Sequence, residues 1–449
     1  MRPSGTNVAP YFLWAVIIVT LACTAAGQKL NPTVMINGFG DLEGTVPGSN
    51  LPVCQYTLQR ARRFTDSVSF ALAVHPFAVD KERLESWTFK DAQGNNVVAS
   101  KDSVARWQRG LQACFDYAIK IKKFRVLHVL GHWDPLHPVL LRPTTWRNLM
   151  NIAPQQKAAG HSYEDVMLQP VVKALNAVSS PSVVVWFSVS GEMGLSNYLH
   201  ADAWRGVMAN TRQQLRRKQW KDVKVATALN WQMFCGCIAA ANPEPGSFDP
   251  LRYNASFARE FAQVKHYALP YVKSFKLLLS ANDFIGISGY GSGYRLKQLS
   301  WRDMEVPLQT LAYELGFFGI NLKEYTSRKP VIYVEQGLGG VLQYGILPAP
   351  DLATVSRYTF SGSWPVGGYK REFDPWQRQD FSAYRRDFYR ATVDLLARGK
   401  GQQYKLDGVY VWSVGSFDVF GVHPVSSSSE GTFADPAIIS MIKKVNGVS

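Results

Sequence analysis

Two glutamates stand at the ends of apolar runs, where a rigid strand would hold a reactive group. Ser182-Val183-Val184-Val185-Trp186-Phe187-Ser188-Val189-Ser190-Gly191 leads into Glu192, and Pro330-Val331-Ile332-Tyr333-Val334 leads into Glu335. Two carboxyl groups on rigid elements suit cleavage of a glycosidic bond, in which one protonates the leaving oxygen and the other acts on the opposite face of the sugar ring. A third run is followed by His132-Trp133-Asp134-Pro135-Leu136-His137. His132, Trp133 and Asp134 are read as sugar-binding, through hydroxyl contacts and a flat ring face. The rival reading makes His132 and Asp134, joined by His75, a metal site that activates water. Such sites recruit more ligands from other strand ends than this chain offers, so no metal and no cofactor is expected.

The elements that must position these residues are legible as an alternation. Candidate strands fall at 34–37, 68–74, 125–130, 182–188, 223–228, 284–288, 331–334 and 408–412, with helix-like stretches between them and a short last one near 436–445. Eight strands alternating with helices predict a (β/α)8 TIM barrel, here as a single domain over 30–449. An open doubly wound sheet is disfavoured because no Gly-rich phosphate loop follows the first strand. By this count Glu192 ends strand four and Glu335 strand seven, across the mouth from one another. The long connections 76–101 and 336–378 belong to the same face, where barrel loops build sites. The second carries Tyr344, Tyr358, Phe360, Trp364, Tyr369, Phe373 and Trp376.

In this arrangement the chain resembles the large clan of retaining glycosidases on a (β/α)8 barrel, which place an acid/base Glu after strand four and a nucleophile Glu after strand seven. Ser190-Gly191-Glu192-Met193, Asn230-Trp231, Asp283-Phe284-Ile285-Gly286-Ile287-Ser288-Gly289-Tyr290 and Lys329-Pro330-Val331-Ile332-Tyr333-Val334-Glu335 look most like the β-mannanase-type branches. The resemblance implies that Glu192 is the acid/base, Glu335 the nucleophile, Tyr290 the hydroxyl that steadies the nucleophile and Trp412 the ring beneath the sugar. Asn230 and Trp231 join the substrate-binding set. One position departs from the pattern: Gly191 stands where much of the clan has an Asn that binds the sugar 2-hydroxyl. Asn230 is the substitute amide that the sequence offers. Independently of any family, Glu192 must have a raised pKa to act as an acid, and an apolar setting would supply it. Glu335 must stay ionised, so it needs a donor, and Tyr290 is the best placed.

Arg2, an apolar stretch over 8–26 and the small residues before Gln28 read as a secretory signal peptide, 1–26, with an uncleaved signal anchor as the alternative. No later segment is expected to span a membrane. Cleavage leaves Cys54, Cys114, Cys235 and Cys237, an even number in an oxidising compartment. Cys54 and Cys114 lie on the first two barrel helices, so a bridge between them is expected, whereas Cys235 and Cys237 stand too close together for a mutual bridge to be the default. Asn254-Ala255-Ser256 is a glycosylation sequon. The formal charge of +15 favours an anionic wall, matrix or membrane surface, and its scattered basic residues read as solvated helix faces, with no nucleic-acid motif among them. The expected protein is a secreted hydrolase of β-linked polysaccharide or oligosaccharide. The alternatives are a catalytically silent carbohydrate-binding barrel and the metal-dependent hydrolase.

Overall fold

The structure is a computed structural model that describes residues 29–136, 147–231, 233–238, 250–290, 298–341, 347–357, 359, 369–398, 404–412, 418–427 and 431–448. The expected signal segment, His137, Tyr344, Tyr358, Phe360 and Trp364 lie outside the described residues.

Each of the eight β-branched runs forms a strand. In chain order the strands are β1 (Leu30–Ile36), β2 (Ser67–Ala78), β3 (Leu84–Lys90), β4 (Asn96–Val98), β5 (Val126–Trp133), β6 (Val184–Gly191), β7 (Asp222–Asn230), β8 (Ile285–Ser288), β9 (Val331–Gln336) and β10 (Gly408–Val411). All but β3 and β4 pair in parallel, and β1 pairs with both β2 and β10, so eight strands close into a barrel. Closure abolishes the sheet edges. The last helix, Pro436–Asn446, secures the seam: Asn446 accepts a hydrogen bond from the Leu30 N–H and donates to the Leu30 and Phe64 carbonyls.

β3 and β4 were not expected. β2 runs past the barrel rim to Ala78 and continues as an antiparallel ladder with β3, which pairs in turn with β4. The long connection 76–101 is therefore a hairpin extension.

Helices pack around the ring through their apolar faces. Lys101–Asp116 is typical: Ser100 and Ser103 cap its first turn reciprocally, and Trp107, Leu111, Cys114 and Phe115 are buried along one face. Inside the ring a smaller apolar plug is formed by Leu130, Trp186, Ala226, Ala228, Phe284, Ile332, Val334 and Tyr410. Its polar layer is His128, whose ring bridges Ser69 Oγ at 2.8 Å and Ser188 Oγ at 3.0 Å and stacks on Tyr410.

Cys54 and Cys114 are bridged, with Cα atoms 6.1 Å apart, as expected. Cys235 and Cys237 are bridged too, against expectation. Gly236, with φ +57°, turns the three-residue segment left-handed, which coincides with Cα atoms only 5.1 Å apart, inside the range that a disulfide spans.

Candidate active site

The two strands that carry the glutamates share one irregularity. In β6, Ser188 pairs with Ala226 and Gly191 with Ala228, so β6 spends three steps where β7 spends two. In β9, Tyr333 pairs with Ile287 and Glu335 with Ser288, again one extra residue on the strand that bears the glutamate. Side chains alternate across a strand, and one inserted residue reverses the alternation beyond it. On β9, Val334 belongs to the barrel's inner plug and Tyr333 bonds outward to Met304, so plain alternation would turn Glu335 outward. The bulge brings it into the mouth, and Gln336 reaches the outer helices through Thr392. Glu192 follows its bulge with φ +56°, a left-handed backbone uncommon outside glycine.

Both carboxyl groups are buried and meet different neighbours. Glu335 accepts a hydrogen bond from the Tyr290 hydroxyl, and His132 Nε2 lies 3.1 Å from its Oε1. Glu192 accepts from Asn230 Nδ2 at 3.3 Å and has Arg147 Nη1 3.5 Å from its other oxygen. Burial, then the negative charge of Glu335, raises the Glu192 carboxyl above its usual range against the pull of Arg147 and His132. The same two causes, burial and carboxylate charge, raise the Tyr290 phenol well above its ordinary value and keep it a donor.

Arg147, which the sequence reading missed, is the site's buried cation. Its Nη2 donates to Asp134 Oδ1 at 2.6 Å while Nη1 faces Glu192. Burial works to raise the Asp134 carboxyl, but Arg147, His75 and His132 outweigh it and hold it below the usual value. Nothing in Trp146-Arg147-Asn148 marks this residue, because it ends no strand and belongs to no motif.

The structure brings Glu192, Glu335, His132, Asp134, Asn230 and Tyr290 together. Trp133 and Trp231 need correction as sugar-binding rings, since they are 0% and 2% exposed. In a strand, neighbours point to opposite faces. His132 turns inward, so Trp133 turns outward to pack on Trp87, Tyr163 and Trp204. Each indole N–H instead holds a site residue by its backbone: Trp133 donates to the Arg147 carbonyl at 3.4 Å and Trp231 to the Tyr290 carbonyl at 3.2 Å. Trp412 is half-buried beside Gly337, and its backbone N–H donates to the Gln336 carbonyl at 2.8 Å.

The rival metal site is not assembled. His75 touches the carbonyls of Asn37 and Asp134, and the Asp134 carboxylate is taken by Arg147. Among the described residues no group of three or more His, Cys, Asp or Glu is arranged to hold a metal ion. No helix among them is long and apolar enough to cross a membrane.

No protein-family model matches the chain, and no curated protein matches it. Solved structures similar to it include a GH5-4 broad specificity endoglucanase from an uncultured bacterium, 10% identical over 94% of either chain, with a TM-score of 0.39. A β-glucosidase is 11% identical over 94% of this chain and 98% of its own, with a TM-score of 0.34. Human YKL-39, a pseudo-chitinase with retained chitooligosaccharide binding properties, is 10% identical over 94% of this chain and all (100%) of its own, with a TM-score of 0.38. None of these likenesses bears on the chemistry.

Proposed function

We propose that the protein is a retaining glycoside hydrolase of β-linked polysaccharide or oligosaccharide. The observation that carries this is a pair of buried carboxyl groups, held together at one barrel mouth in unequal electrostatic settings. A carboxyl whose proton affinity is raised suits the acid, as burial and a neighbouring carboxylate do for Glu192, and a carboxylate that accepts from a hydroxyl suits the nucleophile. Glu335, steadied by Tyr290, attacks the anomeric carbon while Glu192 gives its proton to the departing oxygen, so the glycosidic bond breaks as the glycosyl ester forms. Glu192, now ionised, takes a proton from water, which attacks the same carbon and releases Glu335. A carboxyl separation of ~5–5.5 Å belongs to this mechanism. Secretion is part of the proposal and is supported by two disulfides, which persist in oxidising compartments. The charge of +15 suits an anionic wall or matrix as its surroundings.

A second reading, a barrel that binds sugar without turnover, is favoured by one observation: Arg147 beside Glu192 opposes the protonated form that an acid needs. One experiment separates them. With an activated aryl β-glycoside, Glu192→Ala forms the glycosyl-enzyme and stalls, and azide releases a glycosyl azide of retained configuration. Glu335→Ala forms no intermediate, and azide entering the vacated space gives the opposite anomer. Equal anomers from both variants, or near-native rates in either, refute the assignment, and inactivity of the native chain on β-mannan, β-glucan, β-galactan and xylan favours the silent barrel.

A further inference from the structure

His132 Nε2 and Glu335 Oε1 are two buried polar atoms that lack a hydrogen-bond partner among the described residues. They lie 3.1 Å apart in residues 3% and 4% exposed, close enough to attract but not aligned to bond. Buried polar atoms left unsatisfied at a site call for an explanation, and a bound ligand is one. The second observation concerns Gly191. A Cβ built at that position falls 2.2 Å from His132 Nε2 and 2.3 Å from Cδ2, so the imidazole edge fills the space that any side chain there would need. Gly191 is thus the complement of His132: the residue before Glu192 has no side chain because a ring from β5 has taken its place.

We propose that His132 recognises the C2 hydroxyl of the sugar at the cleavage point and thereby selects sugars with a free hydroxyl there over 2-deoxy and 2-acetamido sugars. This rests on the reading of Glu335 as nucleophile. The attacking oxygen must come within ~3–3.5 Å of the anomeric carbon. C2 is bonded to that carbon, so a donor 3.1 Å from a Glu335 oxygen is within reach of the C2 hydroxyl. One hydroxyl satisfies both orphans, accepting from Nε2–H and donating to Oε1. As positive charge grows at the anomeric carbon the hydroxyl becomes more acidic and the bonds tighten, which places their effect in the transition state.

The test uses the full secreted chain and the aryl β-glycoside it turns over fastest among glucoside, mannoside, galactoside and xyloside, together with the 2-deoxy and 2-acetamido counterparts. His132→Ala should lower kcat/KM on the 2-hydroxy substrate on the order of 10- to 100-fold while leaving the 2-deoxy substrate within about threefold. A His132→Ala, Gly191→Asn double variant should regain part of the loss, again on the 2-hydroxy substrate alone. A structural role for His132 predicts equal losses on both substrates, and that result overturns the inference while leaving the glutamate assignment standing. Native enzyme that handles the 2-deoxy or 2-acetamido substrate as well as its 2-hydroxy parent overturns it without any variant. If no glycoside is hydrolysed, the same comparison is made on dissociation constants; absence of both hydrolysis and binding overturns the inference together with the reading beneath it.

Discussion

Arg147 limits how far the proton affinity of Glu192 can rise. It faces Glu192 at 3.5 Å and is itself anchored by Asp134 at 2.6 Å, so its charge is fixed in place. Replacing it with Met removes a cation that favours ionised Glu192. The carboxyl should then hold its proton to higher pH, and the alkaline limb of kcat/KM should move upward. A limb that stays put or moves down in Arg147→Met would show that Glu192 is not the group titrating there. At this scale the sequence was informative about the glutamates, because each directly follows its apolar run. It was silent about Arg147, which approaches the mouth from a connection. Trp133 was misread because a flat ring beside His132 suits a sugar face, although strand neighbours point to opposite sides, and Trp231, which entered through the resemblance, is buried as well. Their indole N–H groups still serve the site, from behind, by holding the Arg147 and Tyr290 backbones.

Among the elements, the strands and helices were legible because β-branched runs and amphipathic stretches differ in period. The bulges in β6 and β9 were not, since one extra residue leaves no compositional trace, yet the one in β9 decides which side of the sheet Glu335 takes, and the one in β6 turns Gly191 toward His132. The second disulfide was hidden in the same way by the backbone of Gly236. It closes the segment 233–237 against the site's supports: a Cβ on Gly236 would fall 2.1 Å from the Asn148 carbonyl, and one on Gly194 1.9 Å from the Met233 carbonyl. Asn148 follows Arg147 directly and accepts from the Gly194 N–H. The two bridges should therefore separate in their effects. Cys54→Ala with Cys114→Ala opens a link between residues 60 apart and should lower stability by about 4 kcal/mol, with activity in the folded enzyme unchanged. The Cys235–Cys237 bridge joins residues only two apart, so Cys235→Ser with Cys237→Ser should change stability little and turnover more. Denaturant midpoints and kcat measured on both pairs check this, and the reverse pattern would refute that division of roles.

For the whole molecule, two buried histidines work against stability in acid. Burial lowers His128 to about 3, with a further contribution from His132, and burial alone lowers His423 to about 3. The unfolded chain takes up protons at these rings near their ordinary value of 6.5, while the folded chain refuses them until about 3. Their contribution to stability is therefore complete above 6.5 and is lost as the pH falls, at about 1.4 kcal/mol per pH unit for each ring. His128→Gln should be less stable than the native chain at about pH 7, yet lose about 2–3 kcal/mol less between there and about pH 4.5. Parallel losses in urea titrations would show that His128 is not involved. The seam has a different consequence, in the order of folding. β1 needs β10 on one side, and Asn446 clasps Leu30 across 416 positions of sequence. A ribosome adding ~5–20 residues per second makes the first strand long before its last partner. Throughout that interval the nascent barrel presents an unpaired parallel edge, the kind that recruits other chains. Completion must wait for release of the final helix, so chaperone cover during synthesis matters more here than for a protein whose early segments can finish folding among themselves.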